Sequence, residues 1–174
     1  MPEFRPDEIL ATLDRHDIRY VLIGGLAAIL YGAPHLTTDV DIVPEEGSRN
    51  LQRLSDALTE LGARIRVAGE DEGVPFGHDA ASLARVRVWN LVTDRGNLDI
   101  AFVPSGTNGY DDLRRDAATI EVRGIQVPVA SLADVIRSKE AAGRERDRAI
   151  LPVLRELLDQ QRERDRDRPS DRPS

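Results

Sequence analysis

The chain has 174 residues, 40% of them apolar and 32% charged, with a net charge of −7, which is enough for one domain with a hydrophobic core. No apolar run approaches the ~20 residues that span a bilayer, and MPEFRPDEIL lacks the basic start and apolar stretch of a signal peptide. Cysteine is absent, which excludes disulfides, thiolate zinc sites and cysteine nucleophiles, so a cytoplasmic location without membrane contact is expected.

Residues Pro6–His16 put Ile9, Leu10 and Leu13 on one helical face. Arg19–Ile23 reads as a buried strand running into Gly24-Gly25, followed by a short apolar helix, Leu26–Tyr31, closed by Gly32. Thr38–Val43 alternates strictly, with Val40 and Ile42 on one face and Asp39 and Asp41 on the other, and Pro44 is expected to end the strand. Ser48 or Asn50 caps a helix through Leu61, carrying Leu51, Leu54, Leu58 and Leu61 at helical spacing. Arg64–Val67 is a candidate strand, and Glu70–Ala81, rich in glycine and acid, reads as an exposed loop. Ala84–Val92 with Leu98–Val103, and Thr119–Val122 with Gln126–Val129, read as two hairpins. Ser131 caps a helix through Ala142, stopped by Gly143. A last helix covers Asp147–Gln160, where Pro152 predicts a late start or a kink. The order of elements implies an α/β (α+β) fold, a small mixed sheet flanked by helices. One domain is expected over residues 1–161, and the charged, Pro/Ser-rich tail 162–174 is expected to be disordered.

Two carboxylates at i and i+2 on a strand share a face ~6–7 Å apart and disfavour each other's ionisation. A divalent cation removes that cost, and two hard cations fit where a third carboxylate joins. Asp99, between Leu98 and Ile100, is available as the third if its strand neighbours that of Asp39 and Asp41. The Gly24-Gly25 strand-to-helix turn is a geometry in which bare backbone N–H groups meet phosphate oxygens. Each feature alone has a plainer reading: a solvated strand face, a glycine turn, an isolated acid. The net charge does not exclude nucleic acid, since local patches such as Arg137–Arg148 decide such binding.

The stretch Val21–Val43, VLIGGLAAILYGAPHLTTDVDIV, resembles the signature of DNA polymerase β-like nucleotidyltransferases: a Gly-Gly pair ending a strand, a short helix, Asp-x-Asp on the next strand and a later third Asp. It is most similar to the prokaryotic abortive-infection and MenT-type nucleotidyltransferase toxins, through Gly32–Asp41 and through Val127–Arg144, VPVASLADVIRSKEAAGR. His35 stands where those proteins commonly carry arginine. Among 24 basic residues the single lysine, Lys139, falls on the position whose lysine faces the nucleotide phosphates.

The resemblance implies the nucleotidyltransferase fold and Asp39, Asp41 and Asp99 as ligands of two Mg²⁺ ions, with Mn²⁺ as a substitute. Gly24, Gly25 and Thr38 then hold the phosphates of a nucleoside triphosphate. Asp99 accepts the proton of the attacking hydroxyl, and Lys139 assists the departing pyrophosphate. The implied acceptor is the 3′ end of tRNA, with an antitoxin protein as partner. The alternatives are nucleotidylation of a small molecule, as in aminoglycoside-modifying relatives, or of a partner protein, and a non-catalytic nucleotide-binding module.

Overall fold

The structure, a computed structural model, describes residues 3–167. Eight strands are formed: β1 (Tyr20–Ile23), β2 (Asp39–Pro44), β3 (Arg64–Val67), β4 (Glu70–Val74), β5 (Val88–Thr93), β6 (Gly96–Ala101), β7 (Ala118–Val122) and β8 (Ile125–Val129). They make one mixed sheet in the order β4-β3-β5-β6-β2-β1-β8-β7, parallel only between β2 and β6 and between β1 and β8. The alternation that predicts β2 is present in full. Val40 and Ile42 are completely buried, while Asp39 and Asp41 stay partly open on the other face. Pro44 ends the strand as expected, as its last paired residue, opposite Tyr20.

Seven helices accompany the sheet among the described residues: α1 (Pro6–Arg15), α2 (Gly24–Leu30), α3 (Ser48–Glu60), α4 (Ala80–Arg85), α5 (Tyr110–Arg115), α6 (Leu132–Ala142) and α7 (Glu145–Asp167). Ile9, Leu10 and Leu13 of α1 and Leu51, Leu54 and Leu58 of α3 join Val40, Ile42, Leu98 and Ile100 in one core, so the apolar stripes read from the sequence are the buried ones. At α6, Ser131 caps as expected, its hydroxyl accepting from the Asp134 amide, and Gly143 closes the helix in the left-handed region.

Several sequence-based expectations are corrected. α2 begins at Gly24, two residues before the expected start. The cap of α3 is Gly47; the Asn50 side chain instead accepts from the Arg19 amide and donates to the carbonyls of Arg19 and Glu45, tying the helix to the start of β1 and the end of β2. The acidic segment taken for a loop contains β4, an edge strand whose ladder is antiparallel to β3. Ala84 and Arg85, expected at the start of a strand, close α4, and α5 was not foreseen. α7 starts at Glu145, continues through Pro152 and ends at Asp167, past both the expected stop and the start of the expected tail. Burial of Ile150, Leu151 and Leu154 offsets the one backbone hydrogen bond that the proline removes. Residues 168–174 lie outside the described ones.

Candidate active site

The parallel pairing of β2 with β6 puts Asp41 directly opposite Asp99, and Asp39 opposite Asn97. Directly paired residues share a sheet face, so Asp39, Asp41 and Asp99 all project to the side away from Val40, Ile42, Leu98 and Ile100. They line a cleft of about 900 Å³ together with Gly24, Gly25, Thr38 and Lys139, so all seven sequence-singled residues border one space.

Position 24 admits only glycine. Its φ is +74°, and a Cβ there would overlap the Asp41 carboxylate, because antiparallel β1 sets Ile23 opposite Asp41. A Cβ at Gly25 would lie 2.8 Å from the Thr37 hydroxyl. Bare backbone therefore runs against the acids at the start of α2. Thr37, adjacent to the expected Thr38, donates its hydroxyl to Asp39 Oδ1 at 2.8 Å and so fixes that carboxylate.

The three acids are electrostatically short of positive charge. The Asp41 carboxyl is pushed up to about 7 by burial first and then by repulsion from Asp39 and Asp99, with Lys139 and Arg146 pulling the other way. Asp99 is also raised, burial outweighing the Arg66 guanidinium. Arg66, from β3, reaches over β5 and donates one Nη2 to both Asp99 oxygens, at 2.8 and 2.9 Å. With Asp99 turned to Arg66 and Asp39 to Thr37, no three acids among the described residues already surround one point at ligating distance. The donor set still suits hard divalent cations: adjacent carboxylates on rigid strands, one of them about half protonated near neutrality.

Lys139 reaches the cleft from α6, but not as an exposed lysine. Its side chain is 13% exposed, and its ammonium donates to Asp147 Oδ1 on α7 at 3.1 Å. Asp147 is buried, and its Oδ2 has no hydrogen-bond partner. Arg144 and Arg146 line the same cleft, as do His35 and Leu36. Sequence reasoning missed Thr37, Arg66 and Asp147. For Asp147 a signal existed: it stands three, four and seven residues before Ile150, Leu151 and Leu154, on the face that α7 buries. For Arg66 none did, since its contact depends on strand order.

The aminoglycoside-2″-adenylyltransferase family model matches residues 7–151 of the chain. No curated protein matches it in sequence. Among solved structures, the lincosamide antibiotic adenylyltransferase LnuA, with lincomycin bound, superposes at a TM-score of 0.59 with 17% identity, covering 87% of this chain and 95% of that one. A Thermotoga maritima protein assigned as a nucleotidyltransferase superposes at 0.55 with 19% identity, covering 91% and 97%. At such identities the likeness is one of fold, the nucleotidyltransferase fold.

Proposed function

The chain belongs to the aminoglycoside-2″-adenylyltransferase family and is a nucleotidyltransferase, and from that premise we propose that it moves a nucleoside monophosphate from a triphosphate onto a hydroxyl of a small molecule in the cytoplasm. The observation that carries this reading is the facing pair Asp41 and Asp99 on parallel strands at the foot of the Gly24-Gly25 turn. Small-molecule transfer is one of the alternatives that the sequence leaves open, and the family match favours it over tRNA.

Asp39 and Asp41, with Asp99, are the residues that would hold Mg²⁺, which when bound supplies charge neutralisation for the phosphates and the attacking oxygen. The backbone N–H groups at Gly24 and Gly25, with the Thr38 hydroxyl, hold the outer phosphates. Thr37 keeps Asp39 in position. The acceptor hydroxyl attacks the α-phosphorus, a new P–O bond forms, and the bond to the bridging oxygen breaks to release pyrophosphate. The hydroxyl proton passes to the Asp99 carboxylate. Lys139, with Arg144 and Arg146 near it, meets the charge that gathers on the leaving pyrophosphate.

A second reading keeps the 3′ end of tRNA as acceptor, with an antitoxin as partner. It rests on the cations Lys139, Arg144 and Arg146 along one cleft wall. To decide, the purified protein is given each α-labelled triphosphate with Mg²⁺, and in separate reactions total tRNA, an aminoglycoside and a lincosamide. Label appearing in a small molecule, and lost in Asp41→Asn, is the expected result. Label only in RNA selects the second reading, and no transfer or pyrophosphate release in any reaction refutes both.

A further inference from the structure

Among the described residues the large apolar side chains left exposed are Leu36, Val67, Val74, Val86, Val88 and Val103, and four of these, Leu36, Val67, Val88 and Val103, line the cleft. Scattered exposed apolar residues need no explanation, but their concentration around one concavity marks a surface built to be covered. Val88 is 51% exposed and pairs with Ala101, two residues beyond the Asn90–Asp99 pair on the same sheet face.

The placement of this surface follows from the chemistry. Attacking and leaving oxygens lie roughly in line across the α-phosphorus. The pyrophosphate belongs at the Gly24 turn on β1, so the acceptor approaches from beyond Asp99, over β5 and β3. Those strands lie three and four positions from β1, roughly 14 and 19 Å at the usual strand spacing of ~4.8 Å. Along β3, β5 and the end of β6, the cleft is lined by Arg66, Val67, Ala68, Val88, Asn90 and Val103, and Arg66 is the one charged group there besides Asp99 itself.

A polycationic acceptor needs carboxylates to receive its ammonium groups. Every acid lining this cleft already has a task. Asp39 and Asp41 belong to the triphosphate end, Asp99 is paired with Arg66, Asp134 with Arg137, and Asp147 with Lys139. Arg66 adds repulsion where a polycation would sit. A cleft of about 900 Å³ is near the top of the ~300–1,000 Å³ range of small-molecule sites, room for a nucleotide and a small acceptor together.

We propose that the acceptor is an amphipathic small molecule, a hydroxyl borne on a scaffold with an apolar flank and at most one positive charge, whose flank lies on Val88 and Val103. This rests on the transferase reading and names the substrate class for it. A polycationic aminoglycoside is a poor fit in spite of the family's description.

The test is binding, measured by calorimetry on the full chain with Mg²⁺ and an α,β-methylene triphosphate that cannot be turned over. The acceptors are octyl glucoside (neutral), lincomycin (one amine) and tobramycin (polycationic). At least one of the first two binds ten-fold or more tighter than tobramycin. Val88→Asp and, separately, Val103→Ser weaken that binding at least five-fold and leave the affinity for the triphosphate analogue unchanged. Both positions are exposed, and circular dichroism checks that each variant is folded. Arg66→Glu improves tobramycin binding. Tighter binding of tobramycin to the wild type, absence of binding by both amphipathic probes, or insensitivity to both valine substitutions overturns the proposal while the transferase reading stands. Loss of analogue affinity in the valine variants overturns it too, by assigning the apolar surface to the nucleotide base. Failure of the chain to bind the triphosphate analogue removes both readings together.

Discussion

Asp41→Asn tests the electrostatics of the cleft without reference to any acceptor. In the metal-free protein the Asp41 carboxyl titrates near 7 instead of its ordinary 3.8, because it is buried beside Asp39 and Asp99. Between those values the folded state holds a proton that the unfolded chain has released, so this group's contribution to stability falls as pH rises. At pH 5 the folded carboxyl is almost wholly protonated and the unfolded one mostly is not; at pH 8 neither is. The wild type therefore loses about 2–3 kcal/mol from this group between pH 5 and pH 8, taking 1.36 kcal/mol per unit of pKa difference. The asparagine variant has no proton to lose and should show none of that decline. For a chain of this length the difference corresponds to roughly 5–10 °C in Tm. Thermal and urea unfolding of both proteins in EDTA at pH 5, 6, 7 and 8 measure it, with titrations remote from Asp39 and Asp99 cancelling in the difference. Mg²⁺ at pH 8 should then stabilise the wild type and do little for the variant. Parallel pH–stability lines for the two proteins would show that Asp41 does not carry the strain, and the argument for a cation-seeking site would lose its physical basis.

Lys139→Ala should lower transfer by ~10²–10³, the usual loss on removing one charge-stabilising donor, and Lys139→Arg should recover part of it. It should also destabilise the fold by about 3 kcal/mol, because Asp147 is left buried without its partner; unfolding in urea reads this, and an unchanged midpoint would place Lys139 on the surface. Lys139→Met combined with Asp147→Leu should restore much of that stability and none of the transfer, measured side by side. Gly24→Ala should cost about 1–3 kcal/mol of stability for its left-handed backbone and abolish triphosphate binding, since the added methyl displaces Asp41; calorimetric binding at the wild-type level would refute it. Ser131→Ala should cost about 1 kcal/mol through loss of the cap on α6, with kcat unchanged.

Where local chemistry decides structure, the sequence is easy to read. The alternation of β2, the leucine stripe of α3 and the Ser131–Gly143 bounds of α6 each follow from side chains within one element, and each is found where expected. The failures share a different cause. β4, with its Glu70-Asp71-Glu72 run, has no alternation and exists because β3 offers it an edge to pair with. α4 and α5 have six residues each, too few for helical periodicity to register, and α4 is announced only by Asp79 accepting from the Ser82 amide. Pro152 argues locally against a continuous helix, yet the packing of α7 overrides it.

The site divides along the same line. Asp39 and Asp41 are two residues apart on one strand, so their shared face is legible from period alone. Asp99 needed strand order, and it joins them because β6 runs parallel to β2 with no register shift; a slip of one residue would turn it into the core. Arg66 lies two strands further out, across β5, where the sequence leaves no trace of the contact. Asp147 is the instructive case. The run Arg144–Arg148 reads by composition as a solvated face, and by composition alone that is the sound reading. Phase says otherwise: an acid at i, with apolar residues at i+3, i+4 and i+7, must point into the core. A buried carboxylate requires a cation or hydrogen bonds within reach, and α6 presents a lysine beside it. The chain's one lysine is thus matched to its one fully buried acid among the described residues, and the pair orients an ammonium toward the cleft at a point where a longer, forked arginine would have to find two acceptors.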